Sequence, residues 1–156
     1  MTIRIAIGSD HAGYQLKEFI GKQLNKQGYT VTDVGTYSAE RTDYPEYGAA
    51  VGRLIVGGQA DFGALVCGSG VGICIAANKI PGIRAGVAHD VESARLMRAH
   101  NDAQIICFGE RNTTPNVAIL CLEAFLATDF EGGRHGPRVE QLNALDIERE
   151  GWTSGV

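Results

Sequence analysis

The 156-residue chain lacks the long apolar runs of a membrane protein. No stretch approaches the roughly 20 apolar residues that span a bilayer. The N-terminus also lacks a charged segment followed by an apolar signal core. Hydrophobic residues make up 44% of the chain and charged residues 21%, which is ordinary for one globular domain with a sizeable core. We therefore expect a cytoplasmic protein with a single domain over residues 1–156.

Cysteine is scarce, and its spacing is not that of a metal site. Only four cysteines occur, and none of them forms a Cys-x-x-Cys pair. Cys74, Cys107 and Cys121 lie in apolar runs, where a reduced cysteine behaves as a small hydrophobic residue. We expect these three in the core, with no disulfide and no zinc. Only Cys67 stands at the end of a predicted strand, where it can meet a ligand.

Several phosphate-binding signatures are missing as well. The chain has no glycine-lysine-hydroxyl triple, which excludes a P-loop. The glycines of a dinucleotide fingerprint are matched poorly, because Ile73 occupies the position after Gly72 and the motif follows the third predicted strand. No arginine occurs in residues 73–77, as a cysteine phosphatase would need after its nucleophile. The net charge of −4 argues against a general nucleic-acid binder.

Strand-like and helix-like patterns alternate five times along the chain. This alternation predicts an α/β protein with a Rossmann-like three-layer α/β/α architecture, a five-stranded parallel sheet and an additional C-terminal helix. The predicted strands cover residues 3–8, 30–34, 62–66, 85–88 and 104–108. The predicted helices cover residues 14–26, 47–56, 71–78, 91–98, 115–127 and 139–150.

Polar residues follow nearly every predicted strand, and ligands of parallel sheets bind beyond the carboxyl ends of the strands. Further polar clusters lie in a loop, after a helix and in the tail. The segments after strands are Asp10-His11, Cys67 to Gly72, His89-Asp90 and Gly109-Glu110-Arg111. The other clusters are residues 41–45, 100–102 and 131–138.

The segment from Cys67 to Gly72 is the most informative of these. Its three alternating glycines let the main chain curl and direct several N–H groups at one point, a geometry that holds an oxyanion or a phosphate at a helix N-terminus. A thiol beside amide donors is also more readily deprotonated. Together with histidines, which change charge near neutral pH, and arginines, which hold phosphate bidentately, the pattern indicates proton transfer on a phosphorylated sugar.

Several ordered segments of the chain resemble one known family, and the resemblance covers nearly the whole chain. The family is ribose-5-phosphate isomerase B, in the group that also contains galactose-6-phosphate isomerase. The segments that carry the resemblance are residues 8–13 (GSDHAG), 40–45 (ERTDYP), 67–72 (CGSGVG), 76–79 (AANK), 100–102 (HND) and 131–135 (EGGRH).

The resemblance implies an aldose–ketose isomerase that interconverts D-ribose 5-phosphate and D-ribulose 5-phosphate without a metal or cofactor. Cys67 would be the base that moves a proton between C1 and C2 through a cis-enediolate, and Ser69 would help to stabilise that intermediate. His100 would open the sugar ring as an acid on the ring oxygen, with Asp43 assisting it.

The resemblance also implies which residues bind the substrate. Asp10 and Asn101 would contact its hydroxyl groups. Cationic side chains from separate parts of the chain would bind the phosphate, and the glycine loop would bind the enediolate. The phosphate residues are His11, Arg111, Arg134 and Arg138, and the loop residues are Gly68, Ser69, Gly70, Val71 and Gly72.

One branch of the family uses a glutamate just after the glycine loop as the base. This chain has Ile73 there, which cannot accept a proton, so it resembles the cysteine branch. Ser69 replaces a threonine of some relatives and keeps the hydroxyl group. The family pattern also implies a homodimer or homotetramer in which two subunits build each site, and a tail over residues 131–156 that packs on the partner.

Two other functions are compatible with these residues. One is an isomerase of another sugar phosphate, such as galactose 6-phosphate, allose 6-phosphate or a tetrose phosphate. The other is a sensor that binds a phosphosugar without catalysis. The presence of Cys67, Ser69 and His100 together argues against the sensor. No nucleic acid or membrane partner is expected.

Overall fold

The computed structural model describes residues 1–152, with side chains over residues 1–148; residues 153–156 of the predicted tail lie outside the described residues. Five parallel strands form one sheet in the order β2-β1-β3-β5-β4. This confirms the predicted parallel sheet. The strands are β1 (Arg4–Ser9), β2 (Thr30–Asp33), β3 (Phe62–Cys67), β4 (Ala85–Val87) and β5 (Ile105–Gly109).

All six predicted helices are present, and α1, α3 and α5 have the predicted bounds. Helix α2 begins three residues earlier than predicted because Asp43 is its N-cap and Pro45 fits the first turn, where no N–H is needed. Over the described residues, no helix combines the length and the apolarity needed to cross a bilayer. The helices are α1 (Tyr14–Lys26), α2 (Tyr44–Val56), α3 (Val71–Asn78), α4 (Val91–Ala99), α5 (Pro115–Ala127) and α6 (Gly136–Trp152).

The helices cover both faces of the sheet, which confirms the three-layer α/β/α prediction. Helices α1, α4 and α5 pack on one face around side chains such as Ile20 and Phe108. Helices α2 and α3 pack on the other face, where Leu65 and Ile73 are fully buried. Apolar burial on two faces explains why the central strands are continuous hydrophobic runs rather than alternating ones.

The order of the strands places a crevice between β1 and β3. The helices that follow these two strands, α1 and α3, pack on opposite faces of the sheet, so the two loops diverge at the carboxyl ends. Ser9 pairs in register with Val66, and Cys67 pairs with Gly109. The segments after β1, β3 and β5 therefore meet at one edge of the sheet, where ligands of such folds bind.

A second group of polar residues lies at the opposite edge. Helices α4 and α5 run antiparallel to the strands, so they end at the amino edge of the sheet. His100 is the C-cap of α4, and residues 131–138 follow α5. The N–H of Glu131 donates to the carbonyl of Ala99 at 3.0 Å, which fastens the tail to the end of α4.

A buried lysine fastens the loop that leads into α2. Lys17 on α1 has no solvent-exposed surface, and its amino group lies 2.8 and 2.7 Å from the two carboxylate oxygens of Asp33. The same amino group donates to the carbonyl of Thr36 at 2.7 Å. A buried charge is tolerated only when it is paired and hydrogen-bonded, as it is here. The ion pair and this hydrogen bond fix the chain just after β2.

Candidate active site

The Cys67 side chain lies at the carboxyl end of β3 and is 4% exposed. Its sulfur accepts a hydrogen bond from the N–H of Gly70 at 3.1 Å. Helix α3 starts at Val71, so the positive end of its dipole points toward the same region. Both features direct positive potential at the sulfur.

The glycines after Cys67 are required by close contacts as well as by backbone geometry. A methyl group on Gly68 would lie 2.9 Å from the guanidinium carbon of Arg111. A methyl group on Gly72 would lie 2.6 Å from Cζ of Tyr44. The Arg111 and Tyr44 side chains therefore form two walls of the loop. Ser69 is exposed, and its hydroxyl oxygen accepts from the N–H of Val71 at 3.2 Å.

Gly70 is expected to be the least replaceable glycine of this loop. Its φ is +80°, and a Cβ would lie 2.8 Å from the carbonyl carbon of Phe108. We expect Gly70→Ala to lower the free energy of unfolding by about 1–3 kcal/mol. Urea unfolding measures this loss. Gly136→Ala is the matched control, because a Cβ added at Gly136 meets no atom within 4 Å. Equal losses of stability in the two variants would show that Gly70→Ala is not destabilised by strain in this loop.

Asp10 and His11 occupy the neighbouring loop after β1. The Asp10 side chain accepts from the N–H of Gly13 at 3.0 Å and caps a short 3₁₀ helix. Nδ1 of His11 lies 3.0 Å from the carbonyl oxygen and 3.3 Å from the nitrogen of Thr42, so its ring is held against the loop before α2. Asp43 follows in that loop, is exposed, and forms no hydrogen bond to its own helix.

His100 lies at the other edge of the sheet in a separate cluster. Its ring stacks on that of His135, with centroids 4.1 Å apart and 15° between the planes. Glu131 lies beside both rings, with an oxygen 3.9 Å from Nε2 of His100 and 3.8 Å from Nε2 of His135. The neighbouring side chains Asn101, Arg134 and Arg138 are all exposed.

Within one chain, the predicted site residues therefore form two groups rather than one. Cys67 and His100 lie at opposite edges of the sheet, and Asp43 is in the same group as Cys67, so it does not contact His100 of its own chain. The strands between the edges are five or six residues long, a distance of about 17–20 Å. The carboxyl-edge group is Asp10, His11, Asp43, residues 67–72 and Arg111. The amino-edge group is His100, Asn101, Arg134 and Arg138.

Sequence reasoning gave His135 no role, although the structure buries it against His100 with 6% exposure. Burial lowers the pKa of His135 below the ordinary value for histidine, and the positive charges of His100 and Arg134 lower it further. The sequence does contain a signal for this contact, namely the two glycines between Glu131 and His135 in the segment Glu-Gly-Gly-Arg-His. Gly132 and Gly133 both have positive φ, which turns the chain so that Glu131 and His135 face each other.

The lowered pKa of His135 predicts that acid destabilises the fold. In the unfolded chain this histidine takes up a proton near pH ~6.5, whereas the folded protein resists protonation until a lower pH. The free energy of unfolding is therefore expected to fall as the pH decreases below about 6.5. Urea unfolding between pH 7.5 and 5.5 measures this slope. His135→Gln should flatten it and the exposed-site control His89→Gln should not; an unchanged slope in His135→Gln would contradict the account.

The other three cysteines are buried and free, which confirms that they pack in the core. Burial raises the pKa of Cys107 well above the ordinary value for cysteine, and contact with Cys74 raises it further. Cys107 therefore stays a thiol. Cys67 differs from these residues because it stands at the end of its strand, beside the amide of Gly70.

The chain is similar to known proteins over nearly its whole length. A family model described as Ribose/Galactose Isomerase matches residues 5–142. Ribose-5-phosphate isomerase B of Escherichia coli is 47% identical over 146 residues, which are 94% of this chain and 98% of that protein.

Solved structures of the same family are also similar. Ribose-5-phosphate isomerase B of Clostridium thermocellum superposes with a TM-score of 0.93 at 44% identity, covering 94% of this chain and 99% of the other. The Thermotoga maritima protein superposes with a TM-score of 0.90 at 42% identity, covering 92% and 99%. With a sheet of the same fold and a matching sequence over nearly its whole length, the chain belongs to the ribose/galactose isomerase family and is an isomerase.

Proposed function

We propose that this enzyme interconverts D-ribose 5-phosphate and D-ribulose 5-phosphate by proton transfer through a cis-enediolate. The observation that carries the proposal is the hydrogen bond from the N–H of Gly70 to the sulfur of Cys67, in a glycine loop at the N-terminus of α3. It joins a base and an oxyanion cradle at one point, the two parts that a proton transfer next to a carbonyl requires. The named relatives of known structure are ribose-5-phosphate isomerases.

In this mechanism Cys67 acts on the open-chain aldose. Its thiolate removes the proton from C2, and the electron pair of that C–H bond forms the C1–C2 double bond while negative charge develops on O1. The N–H groups of residues 68–72 and the hydroxyl of Ser69 stabilise that charge. A proton then passes from O2 to O1, and the O2 electron pair forms the C2 carbonyl as the protonated sulfur returns its proton to C1. This yields the ketose and regenerates the thiolate.

Ring opening comes first, because ribose 5-phosphate is mainly a closed ring. We assign this step to His100, which donates a proton to the ring oxygen while the hydroxyl at C1 loses one. His100 is 34% exposed at its side chain, so it can reach a ligand, and the stacked His135 ring holds its orientation. Asp10 and Asn101 would contact the substrate hydroxyls, and Asp43 would assist His100 from the facing subunit.

The substrate phosphate is proposed to bind between arginines from both groups. Arg111 lies beside the glycine loop, whereas Arg134 and Arg138 project from the exposed tail at the other edge. Guanidinium groups bind phosphate oxygens bidentately, and His11 adds a further donor near the loop. The phosphate-binding residues are thus divided between the two edges of the sheet in the same way as Cys67 and His100.

We infer that two copies of the chain complete each site, in a homodimer or a homotetramer. A separation of about 17–20 Å between sheet edges is too large for Cys67 and His100 of one chain to act on one sugar phosphate. The carboxyl edge of one copy would therefore face the amino edge of another. Helix α6 offers a surface for such contact, because Leu142, Leu145 and Ile147 are exposed on it. We also propose a cytoplasmic location, which four free cysteines support.

The direct test is conversion of ribose 5-phosphate to ribulose 5-phosphate with and without a chelator. We expect turnover that the chelator does not change. Allose 6-phosphate, galactose 6-phosphate and erythrose 4-phosphate form the comparison panel. If one of these compounds has a higher kcat/KM than ribose 5-phosphate, that compound is the preferred substrate. If sugar phosphates bind but none of them, ribose 5-phosphate included, is turned over, the protein is a sensor.

A further inference from the structure

The cluster of His100, Glu131 and His135 contains three groups that commonly ligate transition metals. One nitrogen of each ring and one carboxylate oxygen all lie within 4.8 Å of one another. The distances from Glu131 to the two rings are 3.9 and 3.8 Å, too long for hydrogen bonds. The three groups therefore lie close together without satisfying one another, and the two stacked rings have to turn out of parallel to direct both nitrogens at one ion.

The backbone holds these three residues in place. The N–H of His100 donates to the carbonyl of Leu96 at 2.8 Å as the C-cap of α4, and the N–H of Glu131 donates to Ala99 at 3.0 Å. The N–H of His135 donates to Gly132 at 2.9 Å in the glycine turn. The positions of the Cα atoms are thus fixed, and a ligand has only to adjust side chains.

We propose that His100, Glu131 and His135 bind a zinc ion, and that the bound ion inhibits the enzyme by occupying His100. Two imidazoles and one carboxylate are a common protein ligand set for Zn²⁺, with the fourth position left to water. Tetrahedral bonds of about 2.0–2.1 Å place ligand atoms about 3.3 Å apart. The two gaps from Glu131 close by about half an ångström to reach that spacing, and Glu131, with 53% side-chain exposure, is free to move. The two ring nitrogens lie within 4.8 Å of each other, so they close by at most about 1.5 Å, which rotation of the partly exposed His100 ring provides.

The inhibitory part of this inference rests on the proposed function. A histidine whose Nε2 lone pair is shared with zinc has no proton to give to a ring oxygen, so the ring-opening step would stop. The charges around the site limit the affinity without excluding binding. Arg95, Arg134 and Arg138 all interact electrostatically with Glu131 or His135, and they oppose a cation. We therefore expect reversible binding that a chelator removes.

Zinc binding is tested first, without reference to activity. The full chain, kept reduced, is titrated with Zn²⁺ against a chromophoric chelator. We expect one ion per chain. Glu131→Gln and His135→Gln should each weaken binding by more than about 100-fold, since even loss of a group that only orients a ligand costs about 10- to 100-fold. His89→Gln and Glu92→Gln, exposed on or beside α4, are matched controls that should bind as the natural chain does.

Cys67→Ser is measured in the same titration because a thiolate is the other strong zinc ligand available. Unchanged zinc affinity in Cys67→Ser, with loss in Glu131→Gln, supports the site. Unchanged affinity in both Glu131→Gln and His135→Gln would overturn it. Glu131 is a surface residue, so its variant stays informative even if the buried His135 variant folds poorly.

Inhibition is then measured with each variant compared with its own zinc-free rate. We expect zinc to inhibit the natural chain at the concentration that fills the site, EDTA to restore the rate, and Glu131→Gln to be at least about tenfold less sensitive. Full activity with the site filled would overturn the inhibitory part. If no sugar phosphate is turned over at all, the proposed function fails, and the binding titration alone still decides whether the metal site exists.

Discussion

Replacing Cys67 with serine or alanine is expected to lower kcat for ribose 5-phosphate by at least about 10³-fold. General bases contribute about 10²- to 10⁴-fold, and the loop offers no other group of suitable basicity. The alkoxide of a serine forms far less readily than a thiolate, so the hydrogen bond from Gly70 cannot rescue it. Steady-state kinetics of both variants measure the loss.

Binding separates a lost base from a damaged site. D-ribitol 5-phosphate, which has no carbonyl group to enolise, should bind Cys67→Ser with nearly unchanged affinity. Cys121→Ala is the matched control, since Cys121 is buried in the other core cluster and far from the loop in sequence. The assignment is wrong if Cys67→Ser keeps more than about a tenth of the natural kcat, or if Cys121→Ala loses as much activity.

The fold was largely predictable because alternating apolar patterns decide it. Helices α1, α3 and α5 have the predicted ends, and β1 and β3 each end one residue later than the pattern indicates. Those extra residues, Ser9 and Cys67, pair in register with neighbouring strands, an interaction that periodicity within one segment does not show. Strand ends are fixed by partners rather than by local preference.

The candidate site was predictable in part, since the rule for parallel sheets selects the segments at the carboxyl edge. Asp10 and Arg111 follow β1 and β5, and Cys67 ends the strand between them, so the three residues lie at one edge of the sheet as expected. The position of His100 followed from the resemblance and not from this rule, because α4 ends at the amino edge. The role of His135 depends on its burial against His100, and burial of one tail residue cannot be read from its own sequence context.

The claim that two copies form one site predicts that two inactive variants restore each other. Cys67→Ser and His100→Asn each remove one edge of the site, so each is expected to be inactive alone. A mixed oligomer contains one site built from an intact Cys67 edge and an intact His100 edge. With random pairing in a dimer, half of the molecules are mixed and each has one working site of two, which gives about a quarter of the natural rate.

Complementation is therefore the measurement that tests the account most directly. The two variants are unfolded and refolded together, and the mixed oligomer is isolated by two successive purifications on a different tag for each chain and assayed with ribose 5-phosphate. Mixing Cys67→Ser with the Cys67→Ser/His100→Asn double variant is the control, because no pairing of these chains yields a complete site. Recovery of about half of the natural rate in the isolated mixed dimer, which corresponds to about a quarter before isolation, and none in the control is the predicted result. Verified mixed oligomers that remain as inactive as either parent would contradict a site shared between two copies.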